Sequence, residues 1–439
     1  MSNSSSLLEK IFKISENNSS VRVELLAGLT TFLAMSYIII VNPSILGDTG
    51  MDKDAVFVAT CIASAFGCIL MGLVANYPIA LAPGMGLNAY FTYTVCLNMK
   101  IPWQVALAAV CVSGLVFVIF SLTGVRKAII DGIPQSLKFA IVAGIGLFLT
   151  LIGMESANIV VDHPKTLLTL GNIKSPAVLL SLLGFFIIVA LDRLRVRGAI
   201  IISILTITVL AIIFHVGDSQ FHGIVGEIPS LAPTFMQMDF KNLFTAELLS
   251  VIFVFFLVDL FDSTGTMIGV AHRAGLLDKQ GNLPHLNRAL LADSTAIVAG
   301  SALGTSSVTA YVESAAGAAA GGKTGLTAIV VGVLFLFALW FSPLVKSVPA
   351  IATAPALIFV GILMMKSCLE IDWNDLTEAA PAFFTIAFMP FTYSIANGIA
   401  MGFISYAVVK ALCNKAREVP VMVWIVSALW VAKFWYFGE

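Results

Sequence analysis

The 439 residues are 59% hydrophobic and 11% charged, with a mean hydropathy of +0.98; this excludes a water-soluble domain of this size and makes the bilayer the solvent. The 24 basic and 25 acidic residues leave a net charge of -1, so nothing indicates nucleic acid or another strongly charged partner.

Residues 1–23 are polar and carry Lys10, Lys13 and Arg22 without the apolar core and small-residue cleavage site of a secretory signal. They read as a cytoplasmic tail, and insertion falls to the first membrane helix. Spanning helices need about 20 apolar residues, with shorter or broken segments tolerated where protein buries them. Fourteen candidates follow, near 24–43, 54–76, 78–93, 102–123, 138–154, 175–191, 198–215, 246–270, 289–303, 305–321, 325–343, 349–366, 379–393 and 395–413. With the N-terminus inside, the cytoplasmic loops hold Lys10, Lys13, Arg22, Arg126, Lys127, Lys138, Arg193, Arg195, Arg197, Arg273, Lys279, Arg288, Lys323, Lys366, Lys410, Lys415 and Arg417. The opposite side holds only Lys53, Lys100, Lys165, Lys174, Lys241 and Lys346, so the positive-inside rule supports this orientation and an even number of spans. Residues 414–439 include an apolar run, 421–437, that carries Lys433 and the aromatics Trp424, Trp430, Trp435 and Tyr436; it reads as an interfacial helix, with a fifteenth span as the alternative.

The six cysteines lie mostly in apolar runs with no paired spacing, and the five histidines fall in loops or at helix ends, so neither set suggests a metal site, a disulfide frame or a cofactor.

Two segments resist the simple helical reading. Residues 83–91 read PGMGLNAYF and residues 304–322 read GTSSVTAYVESAAGAAAGG, rich in residues that break a helix or let backbones approach closely. Asn88-Ala89-Tyr90 and Thr309-Ala310-Tyr311 share a local pattern, one in each half of the chain. Paired interruptions of this kind point to a transporter site at a repeat interface, and seven spans per repeat would invert the second copy.

The chemistry-bearing residues are few. In 246–270, Asp259 and Asp262 lie three residues apart on one helix face, where a carboxylate costs roughly 2.5 kcal/mol or more on insertion scales. Such acids normally face a cavity and serve a pathway or relay; the bland alternative is a pair reaching water at the cytoplasmic helix end. Thr264, Thr266 and Gly269 continue a small polar face toward the interior. Glu313 sits in the second interrupted segment among Ser306, Ser307, Thr309 and Ser314, as a ligand or as an acceptor tying freed backbone amides together. Asn88 offers a donor and an acceptor suited to the edge of a heteroaromatic base, or to a turn. Thr30, Thr31, Ser36 and Tyr37 add hydroxyls to the first segment.

These residues lie in stretches that resemble the purine-base permeases of the nucleobase-ascorbate transporter superfamily, in the adenine/guanine/hypoxanthine branch. The likeness runs nearly end to end and includes AGLTTFLAMSYIIIVNP at 27–43, LAPGMGLNAYF at 81–91, LFDSTGTMIGVAHRAGLLD at 260–278, GTSSVTAYVESAAG at 304–317 and PFTYSIANGIAMGFISY at 390–406. The resemblance implies an all-α membrane fold of fourteen segments in two inverted repeats of seven, with short extended stretches in segments 3 and 10. It also implies a core domain of 24–123 and 246–343 and a gate domain of 124–245 and 344–413. Family substrate contacts map onto Asn88, Asp259, Asp262 and Glu313, with Thr31, Thr266 and Thr309 as site lining. Asp262 is expected to be indispensable and Asp259 to tune recognition. Guanine-hypoxanthine permeases are read as carrying asparagine at the position of Asp259, whereas adenine-transporting members resemble this chain in VDLFD, so the resemblance favours adenine.

The expected activity is uptake of a purine base with protons across a bacterial inner membrane, as a monomer or homodimer, with Asp262 and Glu313 coupling protonation to base binding. The alternatives are a guanine/hypoxanthine symporter, an anion carrier of the same fold, for which acids are the wrong ligands, and an intramembrane metal-dependent enzyme, for which DLFD lacks a second acidic cluster.

Overall fold

The computed structural model describes residues 7–123, 132–216, 220–241, 243, 245–278 and 283–437. Arg126, Lys127 and Lys279, counted above among the cytoplasmic cations, lie outside the described residues. The protein is predominantly helical. Among the described residues, nine helical stretches are long and apolar enough to cross a bilayer, and Ala199–Ile213, Leu376–Phe391 and Val421–Trp435 are shorter apolar helices.

The first predicted segment is two helices, α1 (Val21–Met35) and α2 (Ile38–Gly47), with Tyr37 at the break. Then come α3 (Lys53–Leu70), strand β1 (Leu81–Pro83), α4 (Met85–Ala89) continued by the π-turned stretch Tyr90–Asn98, α5 (Trp103–Thr123) and α6 (Gln135–Ser156). A hairpin of β2 (Val160–His163) and β3 (Leu167–Leu170) precedes α7 (Pro176–Arg193) and α8 (Ala199–Ile213). The second half runs α9 (Ala246–Ala274), α10 (Leu286–Leu303), β4 (Val308–Ala310), α11 (Ser314–Ala319), α12 (Gly325–Ala338), α13 (Ala350–Met365), α14 (Leu376–Phe391), α15 (Ile395–Leu412) and α16 (Val421–Phe437). The hairpin departs from the all-α expectation. Its residues lie in the connection between predicted segments 5 and 6, where no periodicity marked it.

The two interrupted segments meet. β1 pairs antiparallel with β4 in the register Leu81 to Ala310, Ala82 to Thr309 and Pro83 to Val308, and all six residues are buried. Two further bonds extend the pairing, Gly84 N–H to the Ser307 carbonyl at 2.9 Å and Tyr311 N–H to the Ala80 carbonyl at 2.9 Å. Extended backbone at membrane depth survives only where protein satisfies it, and here each half satisfies the other. Cys68 helps, its sulfur accepting from Leu81 N–H at 3.2 Å. The likeness between Asn88-Ala89-Tyr90 and Thr309-Ala310-Tyr311 is not the spatial correspondence: the first is helical and the second begins in β4. Thr309 faces Ala82, six residues before the Asn88 with which the sequence pattern matches it.

Two carboxylates brace the periphery. Glu24 takes Lys323 N–H at 3.0 Å, Thr324 N–H at 3.2 Å and the Thr327 hydroxyl at 2.5 Å, capping the start of α12. Lys410, 3% exposed, pairs with Glu378 at 2.7 Å, and Glu378 also accepts from Ser136 and Tyr406, joining α6, α14 and α15.

Candidate functional site

The strand crossing sets the polar residues around one place. A helix leaving β1 and a helix leaving β4 both start at the crossing, and α9 passes beside it, so residues from three elements converge without a long loop.

Asp259 is fully buried, and the Ser307 hydroxyl lies 2.7 Å from both of its oxygens. Ser307 immediately precedes β4, so this contact pins α9 to the crossing. Asn88 is also fully buried; its Oδ1 accepts from the Ser306 hydroxyl, while Nδ2 has no partner among the described residues. An unpartnered buried amide N–H₂ is costly, on the order of 1–3 kcal/mol, unless something that binds there accepts from it. Asp262 makes no hydrogen bond among the described residues and lines a small cavity with Gly86 and Leu87 of α4, Val258 and Phe261 of α9, Ile141 and Ile145 of α6, and Met364 of α13. The cavity volume is about 10 Å³, the room of a single water. Glu313 stands at the start of α11 and accepts from the Tyr37 hydroxyl at 2.7 Å, tying it to the break between α1 and α2.

The structure therefore separates the two aspartates that the sequence offers as equals. Asp259 is committed to Ser307, whereas Asp262 faces the cavity and has its acceptor capacity free. Of the three threonines expected to line the site, Thr309 turns its hydroxyl to Ser263 at 2.6 Å. Thr31 is buried with an unpaired hydroxyl against Gly317, where an added Cβ would come 2.1 Å from Thr31 Oγ1. Thr266, half-buried on α9 four residues beyond Asp262, is not among the residues that line the cavity.

Sequence reasoning missed Asp293. It is fully buried on α10, and its Oδ2 accepts from the Ser263 hydroxyl at 2.6 Å, in a chain that continues to Thr309. The rule that singled out Asp259 applies to it equally, since it is an acid in an apolar span. Also missed was the part of Asn42, whose Nδ2 donates to Thr60 at 2.7 Å and Thr305 at 2.9 Å and so holds α2 against α3 and the loop before β4.

The geometry suits recognition of a flat, polar-edged molecule. The cavity offers the Asp262 carboxylate and apolar walls from four helices, and α4, one of those walls, also carries the Asn88 amide, which does not itself line the cavity. Two walls, α4 and α9, belong to the elements braced by the strand crossing; the other two, α6 and α13, pack closely on each other, Gly146 lying where a Cβ would meet Met364 Cβ at 2.7 Å.

Comparison with known proteins shows the family and the fold. The model described as the permease family matches residues 22–401. The adenine permease AdeP of Escherichia coli (strain K12) is 47% identical over 427 residues, covering 97% of this chain and 96% of that protein. The guanine/hypoxanthine permease PbuG of Bacillus subtilis (strain 168) is 48% identical over 427 residues, covering 94% and 97%. Among solved structures, the transmembrane domain of the cyanobacterial bicarbonate transporter BicA superposes with a TM-score of 0.64 at 16% identity, covering 86% of this chain and 97% of that one, a likeness of fold alone.

Proposed function

The chain belongs to the permease family, and from that premise we propose that it imports a purine base, adenine in preference, together with protons across the bacterial inner membrane. It is a multi-pass membrane transporter and not an enzyme, which removes the metal-dependent alternative.

The observation that carries the reading is the pair of unmatched groups at the crossing. Among the described residues nothing donates to Asp262, and Asn88 Nδ2 has no acceptor. A neutral purine carries N–H groups for the first and ring nitrogens for the second, so one planar ligand completes both. Asp259, held by Ser307, tunes the site from behind, and Glu313, held by Tyr37, is the second carboxylate of the reading. Adenine is favoured over guanine and hypoxanthine by the VDLFD reading and by the name of the AdeP relative; PbuG keeps guanine and hypoxanthine as the second reading.

Fourteen segments in two inverted repeats make up this reading, with 24–123 and 246–343 as a core and 124–245 and 344–413 as a gate. The cavity lies on the seam between them. Because it holds one water at most, a base enters only when α6 and α13 move away from α4 and α9, which is alternating access about a central site. Protonation of Asp262 or Glu313 from the outer side and its release inside would couple that movement to the proton gradient.

Uptake of labelled adenine in cells lacking their own purine-base transporters tests this. The expected outcome is protonophore-sensitive uptake, lost in Asp262→Asn and little affected by excess hypoxanthine, uracil or xanthine. Equal competition by hypoxanthine and guanine overturns the adenine preference, insensitivity to protonophore and pH overturns proton coupling, and no purine uptake despite membrane insertion overturns the whole reading.

A further inference from the structure

The seam between α4 and α6 holds a second space. Where the stretch Tyr90–Asn98 and α6 end, a vestibule of about 540 Å³ opens, lined by Asp48, Tyr93, Asn98, Ile152, Glu155 and Tyr393 among others. This volume falls within the roughly 300–1,000 Å³ of small-molecule sites. The two spaces lie on one line: α6 carries Ile145 of the inner cavity and, seven residues on and about 10 Å further along the helix, Ile152 of the vestibule. Between them Phe148, fully buried, meets the Tyr393 ring edge-on with centroids 5.3 Å apart, and Tyr393 meets Tyr93 edge-on at 6.3 Å. An aromatic partition thus separates vestibule from cavity.

The tyrosines are held by acids. Tyr93 donates to Asp48 Oδ2 at 3.0 Å and Tyr393 to Glu155 Oε2 at 2.5 Å, so the second oxygen of each carboxylate has no hydrogen-bond donor among the described residues. Tyr393 itself sits at φ +52° in the turn between α14 and α15, a left-handed conformation fixed by the Ser394 N–H to Met389 carbonyl bond at 3.0 Å. Its ring is therefore aimed by the backbone. Asp48 and Tyr93 follow α2 and α4, whereas Glu155 and Tyr393 belong to α6 and the α14–α15 turn, so the vestibule spans the same two groups of elements as the cavity beneath it.

We infer that the vestibule is a second binding site, for a planar nitrogen heterocycle that stacks on Tyr93 and Tyr393 and gives its N–H groups to the free oxygens of Asp48 and Glu155, and that it is filled before the central cavity opens. Acceptors of this kind select neutral N–H donors and turn away anionic bases. A base on the free Glu155 oxygen shares its carboxylate with the Tyr393 hydroxyl and so weakens the contact that holds Tyr393 in the partition, which links docking to opening. The inference rests on the purine reading, extending it by one site.

Purified protein in lipid nanodiscs is titrated with labelled adenine at equilibrium, as wild type, as Asp262→Asn, and as Asp262→Asn combined with either Tyr393→Ala or Glu155→Gln, each checked for monodispersity. The expected result is two sites per chain in wild type, one in Asp262→Asn, and a residual site weakened at least tenfold by either second change. Loss of all binding in Asp262→Asn, or a residual site that survives both Tyr393→Ala and Glu155→Gln, overturns the vestibule while leaving the purine reading intact. Glu155→Gln keeps the shape of the side chain, so a folding failure of Tyr393→Ala still leaves a decisive arm. Wild-type protein that binds no adenine, hypoxanthine or guanine overturns the reading beneath it instead.

Discussion

Ser307 explains how two acids three residues apart acquire different work. Its hydroxyl satisfies Asp259 from β4's entrance, and nothing comparable reaches Asp262. Removing that hydroxyl leaves a fully buried carboxylate without its partner, so Ser307→Ala is expected to cost about 2 kcal/mol, and Ser307→Thr much less. Thermal unfolding of the detergent-solubilised protein checks this; equal melting of wild type and Ser307→Ala would remove the anchoring role. At this scale the sequence marked candidate residues and was silent about their pairing. Asn88, Asp259, Asp262 and Glu313 announce themselves because hydrocarbon gives polar groups nowhere to go. Which of Ser306, Ser307, Thr309 and Tyr37 meets which of them depends on a crossing of two distant segments, and no local pattern encodes that. Asp293 was legible by the same rule but sat in a span taken as plain apolar helix, and Glu24 was set at a boundary where an acid excites no notice.

At the scale of elements, α4 is placed by glycine. A Cβ on Gly86 would come 2.5 Å from Ile145 Cγ2, a branch atom close to the α6 backbone that cannot swing aside. Gly86→Ala should therefore wedge α4 from α6 at the floor of the cavity and cut the uptake rate several-fold or more without preventing folding. Shortening the facing side chain in Gly86→Ala/Ile145→Ala should return part of the lost rate. A double variant no better than the single one would mean that the glycine serves the backbone of α4 and not the approach of α6. The neighbouring Gly84 has a similar reason, its Cβ meeting Thr309 Cγ2 at 2.6 Å across the strand crossing. Glycine and small residues thus flagged the interruptions correctly in sequence. The strands themselves were expected only from family likeness, because three residues carry no usable periodicity and become extended through pairing with a partner segment far along the chain. The β2–β3 hairpin had neither signal.

For the whole molecule, the charge pattern predicts an orientation that can be tested. With the N-terminus inside, the connection after α9 faces the cytoplasm and the connection after α8 faces out, so a phosphatase reporter fused at Phe221 should be active and one fused at Asp278 inactive. The reverse pattern would place the vestibule on the cytoplasmic side and make it an exit. Apolar helical stretches, nine of them long enough to cross a bilayer among the described residues, were readable from hydropathy because such a helix supplies its own hydrogen bonds, while the pairing of β1 with β4 required geometry.

That pairing also bears on how the protein is made. Tyr311 donates its hydroxyl proton to the Pro83 carbonyl at 2.6 Å across a sequence separation of 228 residues. At translation rates of about 5–20 residues per second, β1 waits on the order of ten to fifty seconds in the membrane before β4 has been synthesised. During that interval the nascent first half carries a bare strand edge, with Leu81 N–H held only by Cys68. Biogenesis therefore has an order: a ribosome that stalls after α8 leaves β1 without the partner strand that pairs it in the finished chain.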